Sequence, residues 1–133
     1  MRRRPQFSRS DRIGHLMHEE VLRIVSSEIR APLALHVHVT ATKLSADLGH
    51  LRVHYVMDNN DDPNERAQEM LERAAGFMAG ALRQSLGLKR RPKVVFRFDR
   101  EYTRMRRVND MLGNEKPSEQ AATEPANPED LSL

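Results

Sequence analysis

The side chains in this sequence that are best suited to chemistry are the basic ones between residues 83 and 107. This segment has ten lysine and arginine residues against two acidic residues, whereas the whole chain of 133 residues has a net charge of only +3. Guanidinium and ammonium groups at this density can neutralise several phosphates and release their counterions. Because acidic segments lie on both sides of it, at residues 58–73 and 108–133, the basic segment predicts an oriented encounter with a polyanion such as nucleic acid.

Histidine supplies a second kind of chemistry. His36 and His38 alternate on a predicted strand and His15 and His18 share a helix face, so a metal site is geometrically conceivable. The chain has no cysteine and its acidic residues are concentrated elsewhere, which favours solvent-facing or RNA-facing histidines and no bound metal or cofactor. An acid–base ribonuclease that uses His38 and Lys43 is an alternative. The sequence has no Walker phosphate loop and no Gly-x-Ser-x-Gly elbow, so we expect no enzyme.

Length and composition are typical of one small domain with arms. The lack of cysteine suits a reducing compartment, and no stretch approaches the roughly 18 apolar residues of a transmembrane helix. No apolar signal segment follows Met1–Arg4. We therefore expect a soluble, cytoplasmic, monomeric protein.

The two ends of the chain have the composition of arms. Residues 1–9 predict a flexible basic arm. Residues 113–133 contain no aromatic side chain and many Glu, Pro and Ala residues, so they cannot bury enough apolar surface to offset chain entropy and predict a disordered acidic tail. The folded domain is predicted to span residues 10–112.

Hydrophobic periodicity predicts the elements of this domain. Helical spacing between residues 13 and 25 predicts a first helix, with a Ser8–Asp11 capping pattern before it and Pro32 after it. Two alternating segments, 35–42 and 51–57, predict a β-hairpin. A helix of about five turns begins at Asp62–Pro63 and ends at Gly87, and Val94–Phe98 predicts a third strand. The fold class is α+β in the order αββααβ, with a three-stranded sheet packed on helices.

The segment Ala74-Ala75-Gly76 interrupts the second helical pattern. Gly76 and Gly80 each cost about 1 kcal/mol relative to alanine inside a helix, which predicts a kink or a break into two helices. Small residues at such a place allow another element to pack closely. Equally, a helix break exposes backbone N–H groups that can face phosphate. The sequence leaves both interpretations open.

Four short segments share their order with a known family. They are Arg12 with the helix after it, Leu44-Ser45-Ala46-Asp47-Leu48, Ala74-Ala75-Gly76-Phe77, and the run from Arg91-Pro92-Lys93 to Asp99. Together, over roughly Arg9 to Leu112, they resemble the ribosome-binding factor A family, bacterial assembly factors of the small ribosomal subunit. The resemblance implies a single type II KH-like domain in which an Ala-x-Gly kink, here Ala74-Ala75-Gly76, replaces the Gly-x-x-Gly loop of ordinary KH domains.

The resemblance also implies a function. Members of the family bind the immature small (30S) subunit and its 16S rRNA, act in late maturation and rRNA processing, support growth in the cold, and are not enzymes. A general KH-like RNA-binding protein without ribosome preference is the first alternative, and an RNA-processing hydrolase is the second.

The small number of aromatic side chains indicates how the protein would bind RNA. Phe7, Tyr55 and Tyr102 are the only aromatic residues outside an obvious core pattern, which favours recognition of RNA shape and backbone over base stacking. The residues predicted to contact RNA are Arg2, Arg3, Arg4, Lys43, Arg52, Ala74, Ala75, Gly76, Lys89, Arg90, Arg91, Lys93, Arg97, Arg104, Arg106 and Arg107.

Overall fold

The structure is a computed structural model that describes residues 9–58 and 60–113. Its elements are α1 (Arg9–Ser27), a 3-10 helix (Pro32–His36), β1 (Val37–Leu44), β2 (His50–Met57), α2 (Glu65–Leu86), β3 (Lys93–Phe98) and α3 (Arg100–Met111). The predicted α+β class is confirmed. The predicted basic arm before Arg9, the Ser8 cap and the acidic tail after Gly113 lie outside the described residues.

The three strands form one sheet in the order β1-β2-β3. The predicted hairpin is confirmed, because β1 and β2 pair antiparallel from Val37 opposite Met57 to Leu44 opposite Leu51. β3 pairs with β2 in parallel, so α2 carries the chain from one end of the sheet back to the other. The central strand is therefore β2, and it fixes the positions of both neighbours.

The core lies between one face of the sheet and the helices α1 and α2. Apolar residues repeat at helical spacing on both helices and at every second position on β2, so each element buries one face. The central members of this core are Met17, Val21 and Ile24 on α1, Met70, Leu71, Met78 and Leu82 on α2, Leu51, Val53 and Tyr55 on β2, and Val94 and Phe96 on β3.

Helix α2 runs without a break through Ala74-Ala75-Gly76, so the predicted division into two helices is wrong. Its buried face offsets the cost of the glycines. The cap at its start also differs from the prediction: the Asn64 side chain, not that of Asp62, accepts a hydrogen bond from the Ala67 backbone N–H at 3.0 Å. Its predicted end is confirmed, since Gly87 has a left-handed backbone (φ 65°) and donates to the Arg83 carbonyl.

A β-bulge at Thr40 changes the face to which the second half of β1 points. Val39 is opposite Tyr55 and Ala41 is opposite His54, so Thr40 has no partner residue and the alternation of side chains shifts by one. The Thr40 hydroxyl donates to Asp99 Oδ2 at 2.5 Å. The sequence pattern placed Ala41 on the core face with Val39. In the structure Leu44 packs against the core instead, and Lys43 is exposed.

The chain divides into two compact units, residues up to Asp99 and residues from Arg100 onward. Helix α3, in the second unit, was not predicted, and the observed order of helices and strands is αββαβα. The domain boundaries at residues 10 and 112 and the type II KH assignment stay predictions. Among the described residues, no helix is long and apolar enough to cross a membrane.

Candidate nucleic-acid interface

Four cations from three strands share the face of the sheet opposite the core. Lys43 pairs with Arg52 across β1 and β2, and Arg52 pairs with Val95 across β2 and β3. Lys93 and Arg97 lie two residues on either side of Val95 and therefore point to the same face as Arg52. We call Lys43, Arg52, Lys93 and Arg97 the sheet surface. All four side chains are exposed.

The sheet surface has a fixed spacing because its residues stand on paired strands. Neighbouring strands lie about 4.8 Å apart and residues advance about 3.3 Å along a strand, so Lys43 and Arg52 are close neighbours while Lys93 and Arg97 span about 13 Å. The four side chains line one open groove of about 410 Å³, together with Ser45, His50 and the side of Val95. This arrangement can hold more than one phosphate at once.

The cations of the sheet surface differ from a paired arginine on α1. Within residues 9–58 and 60–113, the structure records no ion pair for any of the four. Arg23 on α1 shows the opposite situation: its guanidinium contacts Glu20 at 2.5 Å and Glu28 at 2.6 Å, and hydrogen bonds to these carboxylates raise the pKa of Arg23. The charge of Arg23 is therefore balanced by two carboxylates of the same chain. The cations of the sheet surface have no such recorded pair among the described residues, so they can attract an anion from solution.

His54 lies on the same face, opposite Ala41 on β1 and Arg97 on β3. Its Nε2 atom is buried and has no hydrogen-bond partner in the described part of the chain. Burial lowers the pKa of His54, and Lys43, Arg52 and Arg97 lower it further, while Asp99 opposes them. His54 was not among the residues predicted to contact RNA. Its position two residues after Arg52 on an alternating strand could have indicated that the two side chains share a face.

A second basic cluster lies where α2 ends and α1 begins. Arg9, Lys89 and Arg90, which we call the helix-end surface, border a cleft of about 610 Å³ with an apolar floor that includes Leu86 and Leu88. Arg9 was predicted as part of the flexible arm, yet it begins α1. The helix-end surface therefore joins basic residues from both ends of the first compact unit.

The turn Leu44-Ser45-Ala46-Asp47-Leu48 closes this cleft. Asp47 accepts hydrogen bonds from the Ser45 hydroxyl at 2.7 Å and from the Gly49 backbone N–H at 2.9 Å. These bonds, with a smaller contribution from Arg90, lower the pKa of Asp47. Asp47 thus balances part of the charge of Arg90.

Arg91 and Gly76 line a different groove, between α1 and α2. Ala74 and Ala75 precede Gly76 on α2. The Arg91 guanidinium stands 3.5 Å from the position that a β-carbon on Gly80 would occupy, and a β-carbon on Gly76 would meet nothing within 4 Å. Because α2 is continuous here, the exposed backbone N–H groups predicted for a helix break do not exist. Gly76 is exposed, while Ala74 and Ala75 are half-buried.

The remaining predicted residues divide into two groups. Arg104, Arg106 and Arg107 lie on α3 in the second unit, where the Arg106 guanidinium carbon stands 5.6 Å from the centre of the Tyr102 ring. Arg2, Arg3 and Arg4 lie outside the described residues. The structure therefore brings Lys43, Arg52, Lys93 and Arg97 together, and it separates them from Lys89 and Arg90 and from Arg91 with the glycine segment.

His36 and His38 contact the same carboxylate in the structure. His36 Nδ1 lies 3.1 Å from Asp58 Oδ2, and His38 Nε2 contacts the other oxygen of the same carboxylate. Among the described residues, no group of three or more such side chains is arranged to hold a metal ion. His38 is opposite Val56 and Lys43 is opposite Arg52, so the two residues are separated by about 13 Å of strand. The His38 ring contacts Asp58 rather than Lys43.

Of the three aromatic residues predicted outside the core pattern, Phe7 lies outside the described residues. Tyr55 is fully buried, and its hydroxyl donates to Gln68 Oε1 at 2.5 Å, so the prediction that it lies outside the core pattern is wrong. Phe77 and Tyr102 are about half exposed, at 53% and 47%. Neither belongs to the sheet surface.

The sequence of this chain is similar to those of known proteins. The family model for ribosome-binding factor A matches residues 9–112. Ribosome-binding factor A of Pseudomonas fluorescens (strain SBW25) is 28% identical over 127 residues, which cover 94% of this chain and 95% of the relative. The protein of the same name from Pseudomonas syringae pv. syringae is 32% identical over 101 residues, which cover 74% of this chain and 73% of the relative.

A structural comparison also finds a ribosome binding factor A. The ribosome binding factor A of Thermus thermophilus, a homology model fitted into the cryo-EM map of its complex with the 30S subunit, matches with a TM-score of 0.50 and 26% identity. The match covers 66% of this chain and 96% of that chain. The family model covers the chain from the start of α1 to the end of α3. This chain belongs to the ribosome-binding factor A family.

Proposed function

We propose that this chain is a non-catalytic assembly factor that binds the immature small ribosomal subunit through its 16S rRNA and assists late maturation and processing of that RNA. The proposal follows from membership of a family of ribosome-binding factors and from the 30S complex of the Thermus thermophilus relative. The observation that carries it is the sheet surface, four exposed cations without an acidic partner among the described residues. Such a surface binds phosphate without any need for bond-breaking chemistry.

The proposed interface comprises several basic surfaces acting on one RNA target. The sheet surface and the helix-end surface bind phosphates, and Arg91 with Ala74, Ala75 and Gly76 forms a further contact at the α1–α2 groove. The proposal also assigns RNA contacts to Arg104, Arg106 and Arg107 on α3, and to Arg2, Arg3 and Arg4, which lie outside the described residues. Binding at separated points holds rRNA helices in a defined arrangement while maturation is completed.

The proposal places the protein in the cytoplasm as a monomer. It also predicts that cells lacking the protein accumulate precursor 16S rRNA and grow poorly in the cold.

The test is binding of the purified chain to free small subunits in the presence of unrelated competitor RNA. The variant Arg90→Glu/Arg91→Glu should bind more weakly, and its affinity should depend less steeply on salt because fewer counterions are released. The matched control is Arg30→Glu/Arg66→Glu, which changes the same charge at two exposed positions outside the interface. Equal effects of the two variants would remove Arg90 and Arg91 from the interface.

The competitor separates the proposed function from a general RNA-binding role. Unrelated RNA should leave most of the protein on small subunits. Displacement by equal amounts of unrelated RNA would replace the ribosomal function with that of a general RNA-binding protein.

A further inference from the structure

We propose that the cleft at the helix-end surface binds a guanosine nucleotide, with the base on its apolar floor and the phosphates on Arg9 and Lys89. The cleft has a volume of about 610 Å³, and α1, the end of α2 and the turn before β2 line it. The proposed function uses these cations only for phosphate. This inference rests on that assignment and adds the recognition of one base.

The floor of the cleft is apolar and fixed in place. Ile13 on α1, Leu86 at the end of α2 and Leu88 just after it are partly buried and pack against the core. The same three side chains also line the cleft, so the surface that the core leaves uncovered is open to a ligand. A flat ring that covers this surface removes apolar area from water, which favours binding.

Leu48 adds a further apolar side chain at a cost in backbone strain. Its φ is 64°, in the left-handed region that glycine adopts freely and leucine rarely does. The Leu48 N–H donates to the Ser45 carbonyl at 2.9 Å, and the Ser45 N–H donates to the His50 carbonyl at 2.9 Å. Strained residues that their surroundings hold in this way are common at binding sites. A glycine at this position would avoid the strain, but it would leave the cleft without the half-buried Leu48 side chain.

Asp47, which also lines the cleft, supplies a hydrogen-bond acceptor for a base. Its Oδ1 atom accepts both recorded hydrogen bonds, from the Ser45 hydroxyl and the Gly49 backbone N–H. Its Oδ2 atom has no recorded partner within residues 9–58 and 60–113. The bonds to Oδ1 lower the pKa of the carboxyl group, so at neutral pH Oδ2 only accepts, and it has room for two N–H donors.

This acceptor favours guanine over the other bases. Guanine presents two adjacent donors on one edge, the ring N1–H and the exocyclic N2 amino group. Adenine and cytosine each place a ring-nitrogen acceptor beside their amino group, and uracil has a single ring N–H between two carbonyl groups. An acceptor-only oxygen at Asp47 therefore pairs with both donors of guanine and repels the ring acceptor of adenine or cytosine.

The charges at the cleft orient the nucleotide. Arg90 lies near enough to Asp47 to contribute to the lowered pKa of that carboxyl group, so part of its charge is balanced. Arg9 and Lys89 are exposed, and neither has a recorded ion pair in the part of the chain that the structure describes. Asp47 repels phosphate while Arg9 and Lys89 attract it. The base therefore lies at the turn and the phosphates lie toward the two helix ends.

The experiment measures the affinity of the full chain for GDP, IDP and ADP by isothermal titration calorimetry. GDP should bind about tenfold more tightly than ADP, and IDP, which lacks the N2 amino group, should lie between them. Asp47→Asn keeps an oxygen that can accept from Ser45 and Gly49, but it replaces Oδ2 by an N–H donor. With this variant GDP and ADP should bind about equally.

Two further variants separate the base from the phosphates. Arg9→Gln/Lys89→Gln should weaken GDP and ADP alike by about tenfold and keep their ratio, whereas Arg30→Gln/Arg66→Gln, which removes the same charge from exposed positions elsewhere, should change neither. Leu48→Gly should keep its melting temperature, because glycine adopts this backbone without strain, and should bind both nucleotides more weakly. Circular dichroism of each variant checks that the fold is intact.

Two sources present this chemistry, a free nucleotide and an unpaired guanosine in RNA. A second comparison therefore uses a short oligouridine strand that carries one guanosine and the same strand without it. A preference for GDP over ADP assigns the cleft to a free nucleotide, and a preference found only between the two strands assigns it to RNA. The absence of any guanine preference in both comparisons would overturn the inference, as would a preference that Asp47→Asn retains.

Binding to free small subunits is measured in parallel, so that the two proposals can fail separately. If the unchanged chain prefers small subunits but shows no guanine preference, only the assignment of the cleft fails. If the unchanged chain prefers guanine but not small subunits, the proposed function fails and the cleft assignment remains.

Discussion

At the scale of a single residue, we expect the protonation of His54 to depend on whether the sheet surface holds phosphate. In the free protein its pKa lies below the ordinary histidine value because of burial and of Lys43, Arg52 and Arg97. Bound phosphates offset these cations, so the pKa of His54 is higher in the complex and the complex holds more protons between the two values. RNA affinity should therefore rise as the pH falls through the ordinary histidine range and below it.

The measurement is the affinity for a labelled RNA stem-loop at several pH values, for the unchanged chain and for two variants. His54→Gln should flatten the pH dependence. His15→Gln, which changes an exposed histidine beside Glu19 on α1, should keep it. A His54→Gln variant with the full pH dependence would show that the proton is taken up elsewhere.

Gly76 belongs to the segment for which the sequence allowed either close packing or contact with phosphate. A substitution at Gly76 distinguishes these two interpretations. A β-carbon at Gly76 meets nothing within 4 Å and the residue lies inside a continuous helix, so Gly76→Ala should raise the free energy of unfolding by about 1 kcal/mol. The added methyl group should also hold RNA away from the helix and weaken binding to small subunits.

The matched control for Gly76 is Gly80→Ala, one turn later under the Arg91 side chain. It should gain similar stability with less loss of affinity, because Arg91 already covers that position. A Gly76→Ala variant that is more stable and binds small subunits normally would limit Ala74, Ala75 and Gly76 to a packing role.

Single residues differ in how far the sequence predicts them. The basic residues could be named in advance because charge is a property of composition. The burial of Tyr55 and the exposure of Phe77 could not, because each depends on which neighbours arrive from distant parts of the chain. Phe77 keeps helical phase with the core residues of α2 and is nevertheless 53% exposed.

At the scale of elements, the bulge in β1 decides where Lys43 lies. A regular strand would place Lys43 on the same face as Val37 and Val39, toward the core. The extra residue Thr40 reverses that face, and the hydrogen bond from Thr40 to Asp99 joins the bulge to the end of β3. Sequence alternation alone could not show this, because a bulge leaves no periodic signal.

A double-mutant cycle with Thr40→Val and Asp99→Ala tests the bulge. Thr40→Val should lower the free energy of unfolding by about 1 kcal/mol, since it removes the hydrogen bond to Asp99. The combined variant should lose less than the sum of the two single losses. Additive losses, measured by denaturant unfolding, would show that this hydrogen bond does not stabilise the bulge.

Two further elements show the limits of pattern reading. The glycines suggested a break in α2, but helical hydrogen bonds and a buried face outweigh their propensity cost. Helix α3 escaped prediction because its arginines, at residues 100, 104, 106 and 107, were interpreted only as charge. The strands and the first helix were predicted correctly because their apolar residues repeat at the periods of strand and helix.

At the scale of the whole molecule, a basic run that is contiguous in sequence becomes several distinct surfaces. Lys89 and Arg90 remain at the end of α2, Arg91 lies beside α1, and Lys93 and Arg97 join Lys43 and Arg52 on the sheet. The charge pattern of the sequence therefore predicts the class of partner. Which basic residues share a surface depends on the fold.

The most direct test of the central claim is cross-linking in growing cells, with sequencing of the attached RNA and gradient profiling of the protein. We expect reads concentrated on the rRNA of the small subunit, and protein on free small subunits but not on translating ribosomes. The Lys43→Gln/Arg52→Gln variant should lose part of these reads while Arg30→Gln/Arg66→Gln keeps them. Reads scattered over many transcripts, with protein spread across the gradient, would contradict the account.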